Sequence, residues 1–402
     1  MIPRTVGPPS YRDHMRLLHT SDWHLGRTFH GHSLLADQEA VLGALVDLAT
    51  RRQVDVVLIA GDIYDRAVPA PEAVQCATRI LARIREAGIA IVAISGNHDS
   101  APRLGAFSDF LAVGGLHLRT AAALAGKPVL LSDAAGPVAF YPIPYLEPDL
   151  IRGIWELPAP VSHQKVLGRA LDLARLDLAG RPEGTRSVVL AHAFVVGACA
   201  VGSERSIAVG GVESVTADVF DGFDYVALGH LHSAQVVSDR VRYCGSPLPY
   251  AFSEPGAPKC CWLVGLGAAG DIFVEQLPLP VVRRLATVRG RLAEILESGP
   301  DLVDAYLSVE LTDPVRPLEP MRRLRERFPH TLVSQWVPDV PGDPAALGRS
   351  PVPGSGARSG RDDDEVLLVD FVRDVRGTGP GPAERELLRE ALVADRLVER
   401  VR

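Results

Sequence analysis

Lysine is scarce in this chain of 402 residues: it occurs only at Lys127, Lys165 and Lys259, so arginine carries nearly all the positive charge and the formal net charge is −7. A domain that lives by phosphate contacts alone is usually basic overall, so this balance gives no electrostatic footprint for nucleic acid. A polyanionic substrate would need bound cations or a partner to attract it. Cysteine is also sparse. The five, Cys76, Cys199, Cys244, Cys260 and Cys261, form an odd set without a CxxC spacing, which excludes a disulfide framework and a zinc knuckle and leaves them as reduced core residues. No apolar run approaches the roughly 20 residues needed to cross a bilayer. Residues 1–14, interrupted by Pro3, Pro8 and Pro9, lack the apolar core of a signal peptide. The expectation is a cytoplasmic protein with no membrane contact.

What is present is ordinary globular material, 47% hydrophobic and 23% charged, and long enough for two or three domains. Strand-like and helix-like segments alternate through the first half. Residues 17–20 read as a short strand, 34–52 carry apolar side chains at helical spacing, and 54–60 (VDVVLIA) are continuously apolar. Residues 71–87 read as a helix that starts at Pro71 and stops before Gly88, and 89–94 (IAIVAI) are apolar again. Runs of this kind fit strands buried on both faces of a helix-covered sheet. Further strands are expected at 138–143, 187–193, 225–228 and 242–244, and a hairpin pairs 260–266 with 272–277. After Pro278-Leu279-Pro280 the pattern restarts with a helix at 292–297, a strand at 306–311, a helix at 318–328 and a strand at 331–337.

The chemistry sits where strands end. His19 to Gly26 read HTSDWHLG, and in an extended strand the side chains of Asp22 and His24, at i and i+2, project to one face. Gly61-Asp62-Ile63-Tyr64-Asp65 ends VDVVLIA, Gly96-Asn97-His98-Asp99 ends IAIVAIS, His192 lies in SVVLAHAF, and Gly229-His230-Leu231-His232 ends DYVALG. Ligand sites of open α/β sheets form beyond the carboxyl ends of the strands, so five such endings point to one crevice. Carboxylate, amide and imidazole donors without a thiolate favour manganese, iron or magnesium over structural zinc. Two such ions can hold a phosphodiester and neutralise its developing charge, provided one carboxylate bridges them. Gly61, Gly96 and Gly229 allow tight turns and close backbone approach.

These motifs resemble those of the calcineurin-like metallophosphoesterases. SDWHLGR, AGDIYDRAVP, SGNHDS, ALGHLH and YCGSPLPYAFSE (residues 243–254) are more closely similar to the SbcD-type nuclease subunits within that superfamily. The resemblance implies a four-layer α/β sandwich, two mixed sheets flanked by helices, followed by a small α+β capping domain and a C-terminal helix. It implies two divalent ions, manganese first with magnesium or iron as alternatives, and it carries the ligand set onto this chain residue by residue. Asp22, His24 and His232 hold one ion, Asn97, His192 and His230 the other, and Asp62 bridges. His98 then contacts the scissile phosphate or protonates the leaving oxygen, Asp65 orients its imidazole, and Arg27, Arg66 and Arg103 can grip phosphates. His30 and His32 repeat the HxH spacing but read as a solvated loop.

The implied activity is exonuclease action on double-stranded DNA ends and endonuclease action on single strands and hairpins. An SbcC-type ATPase supplies ATP control and a homodimer sits within a heterotetramer. Helices near 71–87 and 103–113, rich in apolar side chains, are the expected dimer contact. The expected domains are an N-terminal extension at 1–14, with Met15 as an alternative initiator, the nuclease domain at 15–280, the small domain at 281–340, a flexible linker at 341–364 rich in Pro, Gly, Ser and charge, a last strand of the small domain at 365–376, and a tethered helix for the ATPase at 377–402. A metallophosphoesterase acting on a small phosphodiester or a phosphoprotein, and a non-catalytic scaffold on the same fold, are the competing readings.

Overall fold

The protein is described by a computed structural model, which covers residues 14–196, 198, 214–254, 258–339, 368–373 and 376–399. Residues 1–13 of the expected extension at 1–14, and the linker at 341–364, lie outside the described residues. The chain divides into two compact units, Met1–Arg283 and Arg284–Arg402.

Two six-stranded mixed sheets form the first unit. One has the order Ile272–Pro278, Cys260–Leu266, Met15–Thr20, Val56–Ala60, Ala90–Ile94, Leu116–Arg119, in which the last four strands run parallel and the 260–278 hairpin adds antiparallel to Met15–Thr20. The other has the order Gln235–Val236, Val241–Tyr243, Tyr225–Gly229, Arg186–His192, Gly136–Pro142, Val129–Asp133, with a parallel centre and an antiparallel strand at each edge. The central strands show why apolar runs were needed. Every residue of Val56–Ala60, Arg186–His192 and Tyr225–Gly229 is buried, because one face meets the facing sheet and the other meets helices. Helix Leu35–Arg51 packs beside Pro71–Glu86 on the first sheet. Helix His163–Ala179 buries Val166, Leu167, Ala170, Leu171 and Ala174 in the core of the second.

Polar side chains cross between the sheets. His19 accepts from the Tyr225 hydroxyl at Nδ1 (3.0 Å) and donates from Nε2 to the Leu228 carbonyl (3.1 Å). Arg186, almost fully buried, donates to the carbonyls of Leu266 and Gly136 and forks onto the Asp133 carboxylate. A buried guanidinium needs this many acceptors to offset its loss of water.

The second unit is a three-stranded parallel sheet, Leu285–Gly290, Tyr306–Leu311, Thr331–Trp336, with helices Leu292–Leu296 and Pro320–Arg327 in the two crossovers. Leu292, Ile295, Leu307, Val309, Leu311, Leu324 and Phe328 make its core. The expected last strand at 365–376 is a correction: residues 368–373 are helical, and Asp370 pairs with Arg373 one turn on at 2.8 Å. Short apolar runs do not distinguish strand from helix by periodicity, and Phe371 is 63% exposed, so no sheet core claims the segment. Helix Pro382–Glu399 follows, with Leu387 exposed and Leu388 half-buried.

Candidate metal centre

The strand ends reach one crevice, but by a different backbone route from the one alternation suggests. The Met15–Thr20 strand has ended before Asp22, and Asp22 (φ 53°), His24 (φ 46°), Asp62 (φ 49°) and His230 (φ 105°) all lie in the positive-φ region that side-chain-bearing residues rarely adopt. The expectation that Asp22 and His24 converge as i and i+2 of an extended strand is therefore corrected. Left-handed turns aim them, and the neighbouring strand end holds the turns: the amides of Asp22, His24 and Leu25 donate to the carbonyls of Gly61, Asp62 and Ile63 at 3.1, 2.9 and 3.0 Å. Strained positions persist only where surroundings fix them, and they gather at functional sites. The glycines make room. A Cβ on Gly96 would stand 2.1 Å from Asp62 Oδ1, and one on Gly229 1.9 Å from the Ala60 carbonyl oxygen.

Three overlapping groups of buried donor atoms result: Asp22, His24 and His232; His24, Asp62 and His98; and Asp22, Asp62 and His192. Asp62 Oδ2 lies 3.5 Å from both His24 Nε2 and His192 Nε2, so it stands between the two ends of the cluster. At one end His24 Nε2 is 3.1 Å from His232 Nε2. At the other, His192 Nε2 is 2.9 Å from Asn97 Oδ1, and the His230 ring stands beside that of His192, with centroids 5.4 Å apart. His192 Nδ1 donates to the Ala60 carbonyl at 3.0 Å, which leaves Nε2 as the atom facing Asn97 and Asp62. Electron-pair donors crowded this closely call for a cation or a proton between them. His24 Nδ1 and Asn97 Nδ2 are buried without a hydrogen-bond partner. The residues present thus fit a pair of divalent ions.

The electrostatics agree. Burial raises the Asp22 carboxyl to about 7; His192 opposes the shift and Asp62 adds to it. At Asp62 burial acts in the same direction, but His192, His24 and His98 outweigh it and hold the carboxyl far below the usual range. Burial would lower His192, yet the Asp62 carboxylate overrides it and raises the imidazole to about 9. The cluster therefore takes up a proton where a cation would sit. His230 falls to about 3, and His24 and His232 fall well below the ordinary imidazole value, chiefly through burial. Neutral imidazoles are the form that ligates metal.

His98 donates its backbone N–H to Asp62 Oδ1 at 2.8 Å and places its ring 4.5 Å from that of His24. Its Nδ1 meets the main-chain carbonyl of Asp65 at 2.8 Å. The expectation that the Asp65 side chain orients this ring is thus corrected. That carboxylate turns instead to Arg27 (3.3 Å), Arg66 (3.7 Å) and His24 Nδ1 (3.7 Å), drawn by the two guanidinium charges. Arg27 also lies over the Tyr250 ring at 4.7 Å. Arg66 and Arg103 are exposed. The Asp99 carboxylate caps the turn by accepting from the amides of Gly96, Ile63 and Tyr64. His30 and His32 are exposed in a small hairpin, Thr28–Phe29 with His32–Ser33, rather than in an unstructured loop.

Sequence reasoning passed over the residues behind the ligands. Gln38, fully buried on the Leu35–Arg51 helix, donates to the carbonyls of His24 (2.8 Å) and Trp23 (3.1 Å) and accepts from the Gly26 amide (3.1 Å). Tyr250 donates to the Trp23 carbonyl at 2.6 Å. Lys259, one of only three lysines, donates to the His232 carbonyl at 2.7 Å and pairs with Glu254. The available signals were a polar residue in an apolar helix face, Gln38 before Val41-Leu42, and the place of Tyr250 and Glu254 within YCGSPLPYAFSE.

With this geometry in place, comparison with known proteins assigns the class. A family model for the calcineurin-like phosphoesterases matches residues 15–234, over half of the 402 residues. The chain belongs to the calcineurin-like phosphoesterase family, and with its buried His/Asp cluster it is a metal-binding phosphoester hydrolase. A second model, for the SbcD C-terminal family, described as the type 5 capsule protein repressor C-terminal domain, matches residues 281–337. Among solved structures the chain is similar to a dimetal phosphatase from Danio rerio, at 13% identity over 66% of this chain and 96% of that one with a TM-score of 0.41. It is also similar to the TT1561 protein of Thermus thermophilus, at 14% identity over 65% and 99% of the two chains with a TM-score of 0.39. None of the described helices is long and apolar enough to cross a membrane.

Proposed function

We propose that this chain is the nuclease subunit of an SbcCD-type complex, a manganese-dependent enzyme that cuts double-stranded DNA ends, single strands and hairpins under ATP control by an SbcC-type ATPase. The observation that carries the reading is the buried cluster centred on Asp62, joined in one chain to a segment, residues 281–337, that matches the SbcD C-terminal family. Asp22, His24 and His232 would hold one ion, Asn97, His192 and His230 the other, and Asp62 would serve both. Once bound, the ions supply the positive charge and Lewis acidity that attack on a phosphodiester requires, and offset the acidic net charge toward DNA. His98, whose Nδ1–H donates to the Asp65 carbonyl, keeps Nε2 for the phosphate and, with both ring nitrogens protonated, gives the Nε2 proton to the leaving oxygen. Arg27, braced on Tyr250 and Asp65, grips a neighbouring phosphate, with Arg66 and Arg103 along the approach.

The surface supports a second copy as partner. Helix Pro71–Glu86 and the short helices Ala101–Leu104 and Ser108–Val113 border an apolar recess of about 920 Å³. Phe107, Phe110 and Val113 are 73%, 78% and 89% exposed there. Large aromatic side chains left in water at one face mark an interaction surface. Helix Pro382–Glu399, with Leu387 turned outward, is the segment for the ATPase.

The test incubates purified protein with manganese on labelled hairpin DNA and on a small phosphodiester ester, with and without the ATPase. Hairpin cleavage that the ATPase and ATP extend to duplex ends is expected. Hydrolysis of the ester with every DNA left intact would overturn the nuclease reading in favour of a small-phosphodiester enzyme, and no hydrolysis of either would favour a scaffold.

A further inference from the structure

The two ends of the metal cluster are held by different means. At the Asn97/His192 end the support is short and direct: His192 donates to the Ala60 carbonyl, and the single Asp99 carboxylate ties three amides of the adjoining turns. At the His24/His232 end it is a chain of four side chains, Gln38, Tyr250 and Glu254 buried and Lys259 half-buried. Gln38 grips the carbonyls of Trp23 and His24 and also lies 3.2 Å from the Tyr250 hydroxyl. The Tyr250 ring meets the rings of His24 and His232 edge-on, each at 5.5 Å, and its amide donates to Glu254 Oε1 at 2.6 Å. The other Glu254 oxygen accepts from Lys259 Nζ, which in turn donates to the His232 carbonyl at 2.7 Å and to Ser246 Oγ at 3.1 Å. One unbroken path thus runs from the backbone of His24 to the backbone of His232, two residues 208 positions apart.

We infer that Lys259, Glu254, Tyr250 and Gln38 are positioning residues that set the spacing of His24 and His232 and so the affinity of that one metal position, leaving the other to its own contacts with Ala60 and Asp99. The inference rests on the two-ion reading above. His24 sits in left-handed backbone and His232 lies beyond its strand, so neither imidazole is fixed by regular secondary structure. Outer contacts that orient a ligating histidine typically change metal affinity by about 10- to 100-fold when lost. Lys259 serves this purpose better than a neutral donor would, because its charge also compensates Glu254, whose side chain is 1% exposed.

The experiment counts manganese ions and their affinities by equilibrium dialysis and calorimetry on the full chain. Lys259→Met combined with Glu254→Gln removes the ion pair without leaving a lone buried charge, and Tyr250→Phe removes only a hydroxyl from a ring that stays in place. The wild type should bind two ions. In each variant one ion should keep its affinity while the other weakens, about tenfold or more in the double variant and less in Tyr250→Phe, and Lys259→Arg should restore much of the loss. Should the double variant fail to fold, the phenylalanine variant decides alone. Two ions at wild-type affinity, or an equal loss of both, would overturn the inference, since a merely structural network would not choose between positions. A wild type that takes fewer than two ions would instead sink the two-ion reading, and this inference with it.

Discussion

Strand and turn deliver ligands to the crevice in different ways, and although His230 of the second sheet also comes from positive-φ backbone, the contrast is clearest between His192 and the ligands of the first sheet. The second supplies His192 while the chain is still in a fully buried strand, and its ring falls into place with the register of that strand beside Tyr225–Gly229. The first supplies Asp22, His24 and Asp62 from turns in left-handed backbone, clasped to each other by amide-to-carbonyl bonds. Regular structure aims the former side chain, and tertiary closure aims the latter three. Perturbing the first sheet's turns should therefore damage the centre more than perturbing its strands.

The largest effect is expected at Asp62, the carboxylate between the two ends. Asp62→Asn should remove hydrolysis altogether and drop bound metal from two ions toward one or none, read by elemental analysis; a variant that keeps two tightly bound ions would contradict its place as the bridge. Next comes Gly96→Ala, whose methyl group would press on Asp62 Oδ1. It should weaken both ions while leaving the circular dichroism of the strands unchanged, and unaltered metal binding would show that the turn yields more easily than the backbone clasp suggests. His98→Ala should keep near-normal metal content and lose turnover by on the order of 10²-fold or more. Loss of metal in step with activity would make His98 a ligand.

The smallest effect separates the strand side of the comparison from the turns. His19 bridges the sheets as a neutral imidazole, and burial, partly offset by its bond to Leu228, lowers it to about 3 from an ordinary value of 6.5. Because the folded value is the lower one, the unfolded chain takes up the proton first. The stability due to a neutral His19 is complete above about 6.5 and is lost as pH falls toward 3. Relative to His19→Gln, the wild type should lose stability more steeply between pH 6 and 4, by up to about 1.4 kcal/mol per pH unit in denaturant titrations. Parallel slopes would mean that this histidine does not stay neutral at the sheet interface.

The same comparison explains what could be read from the sequence. VDVVLIA and IAIVAI announced buried parallel strands because no polar residue interrupts them, and the motifs at their ends named the donors. The hairpin at 260–278 was legible from its turn. The strand Leu285–Gly290 escaped notice because only Ala286 and Val288 of it pack on a core. The segment expected as a strand at 365–376 misled because a short apolar run fits either periodicity, and tertiary burial, which would decide, is not local. Alternation at Asp22 and His24 gave the right meeting point for the wrong reason, since spacing does not encode φ. Lys259 and the role of Gln38 were harder to read for a further cause: both hold main-chain carbonyls that are remote along the chain, and a carbonyl has no letter in the sequence.

The central claim, that five strand endings assemble one centre for two ions on either side of Asp62, is open to one direct measurement: anomalous diffraction from crystals grown with manganese. Two peaks are expected, one among Asp22, His24 and His232 and one among Asn97, His192 and His230, both in contact with Asp62. A single peak, or a pair that does not share Asp62, would contradict the account.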